Sequence, residues 1–530
     1  MKRRVMKFVA TGLTLTTAMS LVACGTTGSS NNTATTAAQS TAATEVTKPE
    51  NFSVMVNNSV ISEANGGKAF YDQLAEKIGC TITWIRPDHS GYYDAIGNAF
   101  NSQDTMPDVV RLDENYYTLY AAGGYLWDMT DAWLNSETRK SGRLISSASA
   151  IEESNYVYGL DGEKRIYGFS PARGNGCVTY MKETWLKAAG YTKADVENKT
   201  LTFDEYYKIL KDMQAATNKS VISCAGYIST EVPYTNYLPE FYQQARYTFY
   251  QNAAGEYVDG FTEQAMKDAL GRIRQGVADG VIDQESVNNS TANARDKFYA
   301  DETGVFSYWA GTWANTLKVT LANKGLDDSL IAIKPVKELG KYTERVAQTW
   351  CITSAAENPE GIFKYFIDTM LDGGDVQTLW TYGAKGTHWD TKAETVTLTG
   401  KEDQAVTYKE GEFHYLPSPE NPSVLQQKNC IDANLSIGKF TNGDPGAKQI
   451  PETASQNQQF FADNSQVLQA VPMTDELGDN ISDINKQRNV IITAIATGTM
   501  TVDEGMAEYT NRVGKQVEEV LNSLKALNKK

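Results

Sequence analysis

Histidine and cysteine are scarce in this chain, and their placement removes whole classes of chemistry. The 530 residues include three histidines, His89, His388 and His414, far apart in sequence, and neither an HExxH helix nor a GxSxG elbow occurs. Metal-assisted and Ser-His catalysis therefore have no support in the sequence. Of six cysteines, Cys24 stands alone near the start. The others, Cys80, Cys177, Cys224, Cys351 and Cys430, are an odd set without short paired spacings, which supplies neither a disulfide framework nor a CxxC metal site. Each reads as a small buried apolar residue, and no cofactor or metal is expected. Long apolar runs are missing too: beyond Cys24 nothing approaches the roughly 18 residues a membrane-spanning helix needs. Positive charge is in deficit, 49 Lys and Arg against 65 Asp and Glu for a formal −16, which argues against nucleic acid and anionic lipid as partners.

What is present begins with the first residues. Lys2, Arg3, Arg4 and Lys7 precede a Thr-diluted apolar stretch from Phe8 that ends at Leu21-Val22-Ala23-Cys24. Too short to cross a bilayer, residues 1–23 read as an export signal. The Leu-x-Ala-Cys ending resembles the bacterial lipobox, which implies cleavage before Cys24, lipid on its thiol, and contact with the membrane through that anchor only. Residues 24–48 carry no aromatic residue and no charge before Glu45. They cannot bury enough apolar surface to offset their ordering entropy, so they read as a tether with a reach on the order of 25 to 30 Å.

About 480 residues follow, which is too many for one core and suits two domains. Phe52 to Val56 reads as a strand, Phe70, Leu74 and Ile78 share a helix face stopped by Gly79, and Thr81 to Ile85 reads as a second strand. That βαβ pattern favours a parallel sheet, joined after a helix at 92–100 by a third strand over Pro107 to Leu112. In open sheets of this kind ligands sit beyond the carboxyl ends of strands, which marks Asn57, Asn58, Asp113, Glu114 and Tyr116 as candidates. Capping boxes pair Thr202 with Glu205 and Thr501 with Glu504, each ahead of an apolar helical stripe. Asn358-Pro359-Glu360 opens another helix, and residues 390–415 read as a polar, strand-forming insertion.

Five stretches carry a family resemblance: Met106 to Val110 with Gly124 to Thr130; Ile166 to Pro171 with Tyr180 to Leu186; Leu201 to Tyr206; Gly304 to Trp313; and Tyr382 to His388. In order and spacing the chain resembles the family 1 extracellular solute-binding proteins, in particular the long sugar-type lipoproteins of Gram-positive bacteria, a group that is maltose-binding-protein-like. The resemblance implies an α/β, two-lobe periplasmic-binding-protein fold (type II), each lobe a mainly parallel sheet flanked by helices, joined at a hinge by several chain crossings. By matching stretches, lobe one is expected at 49–178 plus 349–386 and lobe two at 179–348 plus 387–530, with crossings near Val178 to Tyr180, Thr349 to Ile352 and Ala384 to Asp390. It further implies a monomer that binds a carbohydrate ligand between the lobes and delivers it unchanged to ABC permease subunits and their ATPase.

Sugars present flat C–H faces edged by hydroxyls, so a site for them needs aromatic plates and planar polar groups. The chain holds 29 Tyr and 9 Trp. Trp309 and Trp313 follow an apolar strand, and in the resembling proteins the Gly-x-Trp position of Trp313 stacks on ligand. Trp350, Trp389, His388, Arg173 and Asn175 complete the candidate set. Three rivals stay open: a polysaccharide-active enzyme, whose carboxylate pair has no sequence signature; the same fold binding a peptide or an acidic sugar, for which Arg173 leaves room; and an adhesin or sensor without transport.

Overall fold

The computed structural model describes residues 46–527, except 59–60, 89–90, 142–151, 153–154, 172–174, 229–236, 327–328, 345–346, 427–451 and 469–470. The leader, Cys24, nearly all of the tether and Arg173 lie outside the described residues.

Five strands build the first sheet: β1 (Asn51–Met55), β2 (Thr81–Ile85), β3 (Val109–Leu112), β4 (Gly168–Phe169) and β10 (Thr349–Ile352), in the order β2-β1-β3-β10-β4. Helix α1 (Gly67–Ile78) connects β1 to β2, and α2 (Tyr92–Ala99) connects β2 to β3. Both β1 pairings are parallel, whereas β10 runs antiparallel to β3 and to β4. α1 buries Phe70, Leu74 and Ile78 on one face, as its spacing predicts, and stops at Gly79, whose φ of 64° is a left-handed conformation that glycine adopts without Cβ strain. Because β2 and β3 leave β1 on opposite sides, the carboxyl ends of β1 and β3 form a topological switch point. Tyr92 ties these ends together: its hydroxyl lies 2.9 Å from Met55 O and 2.8 Å from Arg111 O.

The second sheet has β5 (Cys177–Lys182) between β8 (Val305–Trp309) and β9 (Leu330–Ala332). It differs from the mainly parallel sheet the sequence suggests, since both neighbours of β5 run antiparallel to it. The consequence is positional: β8 returns to where β5 starts, so Trp309 pairs with Cys177. Helix α4 (Phe203–Thr217) has its capping box, Thr202 with Glu205, and buries Tyr206, Ile209, Leu210 and Met213. The chain ends in the helical hairpin α7 (Asp475–Ala496) and α8 (Val502–Leu527). The Thr501–Glu504 box opens α8, and its stripe of Tyr509, Val513, Val517, Val520 and Leu524 is buried in the second sheet's core rather than along a coiled-coil seam. The helix opened by Asn358 is interrupted by a π turn over Phe363–Ile367.

The apolar residues of the two sheets gather separately. Around the second sheet lie Val178 to Tyr342 with Phe461 to Leu524; around the first, one cluster gathers Phe52 to Phe169 with Trp350 to Ala384 and another gathers Met55, Ile96, Val110, Leu112, Tyr117 and Cys351. The chain passes between the sheets from Phe169 to Cys177 and again before Thr349. A crossing at Ala384 to Asp390 does not occur. Residues 387–426, with β11 (Trp389–Asp390), β12 (Glu394–Val396), β13 (Val406–Tyr408) and β14 (His414–Tyr415), stay on the first sheet's side. There Asn65 Nδ2 donates to Gln426 Oε1 at 3.1 Å, Ser418 Oγ donates to Asn65 Oδ1 at 2.9 Å, and His388 Nε2 contacts Asn65 O at 2.6 Å. The physical reason is this network of buried polar groups, which pairs residues 388–426 with Asn65 just ahead of α1. From helix α6 (Glu452–Asn464) onward the chain belongs to the second core, with Phe461 buried there.

Arg488 on α7 is fully buried and donates to Asp259 Oδ1 at 2.7 Å, Asn485 Oδ1 at 3.0 Å and Tyr509 OH at 3.2 Å. Strands β6 (Phe249–Gln251) and β7 (Tyr257–Asp259) are thereby fixed to the C-terminal hairpin. Removing one partner of such a pair strands a buried charge, so Asp259→Asn is expected to destabilise the fold by about 3 to 5 kcal/mol, read by chemical denaturation. Glu240 is also buried, beside Tyr342 OH at 3.4 Å, and burial pushes its carboxyl up to about 7. The folded state therefore keeps a proton that the unfolded chain releases near pH 4.5, so stability falls between about pH 4.5 and 7, by on the order of 3 kcal/mol from this group. Glu240→Gln should flatten that fall in denaturation curves measured across the same window.

Candidate functional site

Two groups of side chains stand at strand ends, one on each sheet. The first lies beyond β1 and β3. Leu112 ends β3, and Asp113 caps the next helix, α3 (Glu114–Ala122), its Oδ1 accepting from Tyr116 N at 3.2 Å. Asp113 N in turn donates to Tyr93 OH at 2.9 Å. Tyr93 and Tyr116 are stacked, ring centroids 3.9 Å apart and planes 3° from parallel, and both rings are half-buried. Glu114 is buried, and among the described residues its Oε1 has no hydrogen-bond partner. Burial pushes its carboxyl up to about 8, with the neighbouring Asp113 charge adding to the shift. Near neutral pH Glu114 thus keeps its proton and can both donate and accept, as a sugar hydroxyl requires. Asn57 is buried just past β1, while Asn58 is exposed and spends its Nδ2 on Asp88 Oδ1 at 2.8 Å.

The second group lies where β8 ends. Helix α5 (Thr312–Asn323) follows at once, and Trp309 and Trp313 are half-buried against the second core. The turn between them depends on Gly311: its φ is 72°, and a Cβ there would stand 2.5 Å from Gln458 Oε1. Asn457 Oδ1 accepts from Gly311 N at 2.8 Å and lies 2.9 Å from Tyr180 OH. Asn175, in the left-handed conformation at φ 63°, donates from Nδ2 to Ala310 O at 3.1 Å. Arg295 lies over the Trp313 ring, 5.3 Å from its centroid, and donates to Tyr308 OH at 3.1 Å.

Three sequence candidates belong to packing instead. Trp350 is 2% exposed, set edge-on against Phe366 and Trp380 with Arg111 above its ring. His388 is fully buried: Nδ1 accepts from Ala384 N at 2.8 Å, Nε2 faces Asn65 O, and burial lowers its pKa, so it stays neutral. Trp389 stacks on Phe413 and donates from Nε1 to Gly383 O at 2.8 Å. Burial explains all three: Trp350 and Trp389 sit inside strands and His388 just before one, and each is packed on the first sheet's side. Sequence reasoning missed Tyr93, Arg295, Asn457 and Gln458. The run Gln456-Asn457-Gln458-Gln459 inside a helix is the one signal that flags buried amides.

The bacterial extracellular solute-binding protein family model matches residues 62–372. A search of curated proteins finds no match. Among solved structures, a family 1 extracellular solute-binding protein from Alicyclobacillus acidocaldarius is 15% identical with a TM-score of 0.56, covering 90% of this chain and 100% of that one. An N-glycan transport solute-binding protein from Streptococcus pneumoniae is 17% identical with a TM-score of 0.55, covering 91% and 99%. An HMO-binding, ABC-transporter-associated solute-binding protein from Bifidobacterium longum infantis is 12% identical with a TM-score of 0.57, covering 91% and 98%. These identities speak for the shared α/β fold of periplasmic-binding-protein type, and the family match, over more than half of the sequence, decides membership: the chain belongs to the bacterial extracellular solute-binding proteins.

Proposed function

We propose that this chain is the lipid-anchored binding component of an ABC importer, which captures a sugar or oligosaccharide between two α/β lobes and hands it unchanged to a permease and its ATPase. Lobe one is residues 49–178 with 349–426, and lobe two is 179–348 with 452–527. The observation that carries the reading is the pairing of aromatic and polar groups at two strand ends. Tyr93 and Tyr116 stand with Asp113 and Glu114 beyond β1 and β3, and Trp309 and Trp313 stand with Asn175 beyond β8. Flat rings suit the C–H faces of a pyranose, and carboxyl and amide groups suit its hydroxyls. Arg173 remains a proposed contact. The structural relatives whose names state a sugar ligand support the same class.

Ligand bound to one lobe is covered by rotation of the other, and contacts made only in the closed state stabilise it. No bond of the ligand need break. Incubation with candidate oligosaccharides is expected to return them intact; shortened products at catalytic turnover would replace this reading with that of a polysaccharide-active enzyme.

Trp313→Ala is expected to weaken binding of the cognate sugar about tenfold to a hundredfold in calorimetric titration, with little change in thermal midpoint because the ring is only half-buried. An unchanged affinity contradicts the stacking role. Cys24→Ala is expected to move the protein from the membrane fraction to the medium, since the acyl chains are the only proposed anchor; retention on the membrane contradicts it.

A further inference from the structure

The turn between β1 and α1 is held in a conformation that its residues do not favour. Ile61 has φ 109°, a region that a β-branched side chain enters only under constraint, yet it is 1% exposed and packed in an apolar cluster of the first sheet. Its carbonyl accepts from Tyr71 OH at 3.1 Å. Backbone strain of this kind persists where the surroundings over-determine it, and it gathers at ligand clamps. Part of what surrounds this turn comes from more than 300 positions further along the chain. Asn65, 2% exposed, commits Nδ2 to Gln426, Oδ1 to Ser418 and its carbonyl to His388. His388 Nδ1 already accepts from Ala384 N, so a neutral ring with its proton on Nε2 satisfies both contacts. Ser62 Oγ donates to Glu420 Oε2 at 3.4 Å. At Gly66 a Cβ would stand 2.7 Å from Thr387 Cγ2 and 2.8 Å from His388 Nε2, so the turn's backbone lies directly against this segment.

The turn leads on from Asn57 and Asn58, at the carboxyl end of β1, where the proposed function seats the ligand. A binding loop that must be ordered when ligand arrives subtracts that cost from affinity, and one already fixed does not. We propose that residues 387–426 are a brace that fixes the turn Ile61–Gly66 in its binding shape, with Asn65, Ser418 and Gln426 as positioning residues that set sugar affinity from behind the site. Ser418 and Gln426 are both buried, so they act through Asn65 rather than on the sugar. This rests on the sugar-binding reading above and gives a part in it to a segment that reading leaves unused.

The test compares the full-length parent with Ser418→Ala, Ser418→Thr and Gln426→Met, the last of which keeps side-chain volume without the amide. Two quantities are read: hydrogen exchange at the amides of residues 61–67, and calorimetric affinity for the tightest binder among short malto-, xylo-, manno- and galacto-oligosaccharides. Binding stoichiometry reports the folded fraction, so a lost fold is not read as lost affinity. Ser418→Ala and Gln426→Met are expected to exchange faster over the turn and to bind the sugar about fivefold to tenfold more weakly, at unchanged stoichiometry. Ser418→Thr, which keeps the hydroxyl, is expected to retain the parent's values. Faster exchange with unchanged affinity reduces the segment to a structural prop and overturns the positioning role. Unchanged exchange, or a threonine variant that behaves like the alanine one, overturns it too, and in each of these cases the parent's sugar binding stands. A parent that binds no sugar in the panel overturns both the brace and the sugar reading.

Discussion

Among the described residues, no buried apolar side chain packs in the clusters of both sheets. The cluster around β5 draws on residues from Val178 to Leu524, and those around β1 on residues from Phe52 to Ala384, yet they have no member in common. The chain passes between them from Phe169 to Cys177, from Glu344 to Thr349, and again from Gln426 to Glu452. Apolar burial is the largest favourable term in the fold. In the proposed function, closure around a ligand leaves the clusters of both sheets intact and is decided by contacts of the ligand itself. The Arg488–Asp259 pair and the Thr202–Glu205 capping box add fixed contacts on the second side.

The two strand-end groups differ in chemistry. On the first sheet, Asp113 and the protonated Glu114 offer acceptors and one donor beside a stacked pair of phenol rings. On the second, the Arg295 guanidinium lies against the Trp313 ring, and Asn175 holds the turn that follows Trp309. A wholly apolar ligand matches neither group.

Much of this was legible in the sequence where local physics decides. The β1-α1-β2 unit follows from alternation in Phe52 to Val56, the 70/74/78 stripe and Gly79, and the observed strand Thr81–Ile85 has the bounds the sequence indicates. Both capping boxes form as their spacing requires. What failed depended on long-range partners. Trp350, His388 and Trp389 look like ligand contacts by residue type, but Phe366, Trp380, Asn65 and Phe413 claim them, and nothing near those positions in sequence announces such neighbours. The misplaced crossing has the same origin: Asn65 holds residues 387–426 through hydrogen bonds more than 300 positions apart. Gln458 carried only the weak signal of an amide-rich helical run, since a helical glutamine is ordinarily a solvated one.

A crystal structure of the protein with its bound ligand tests the central claim most directly. A hydroxyl-rich molecule is expected to be enclosed between the carboxyl ends of β1 and β3 and the end of β8, with Trp313 against a sugar ring face and the apolar clusters of both sheets unchanged from the free form. A ligand seated elsewhere, or enclosed only after one of those clusters has repacked, would contradict the proposed binding mode.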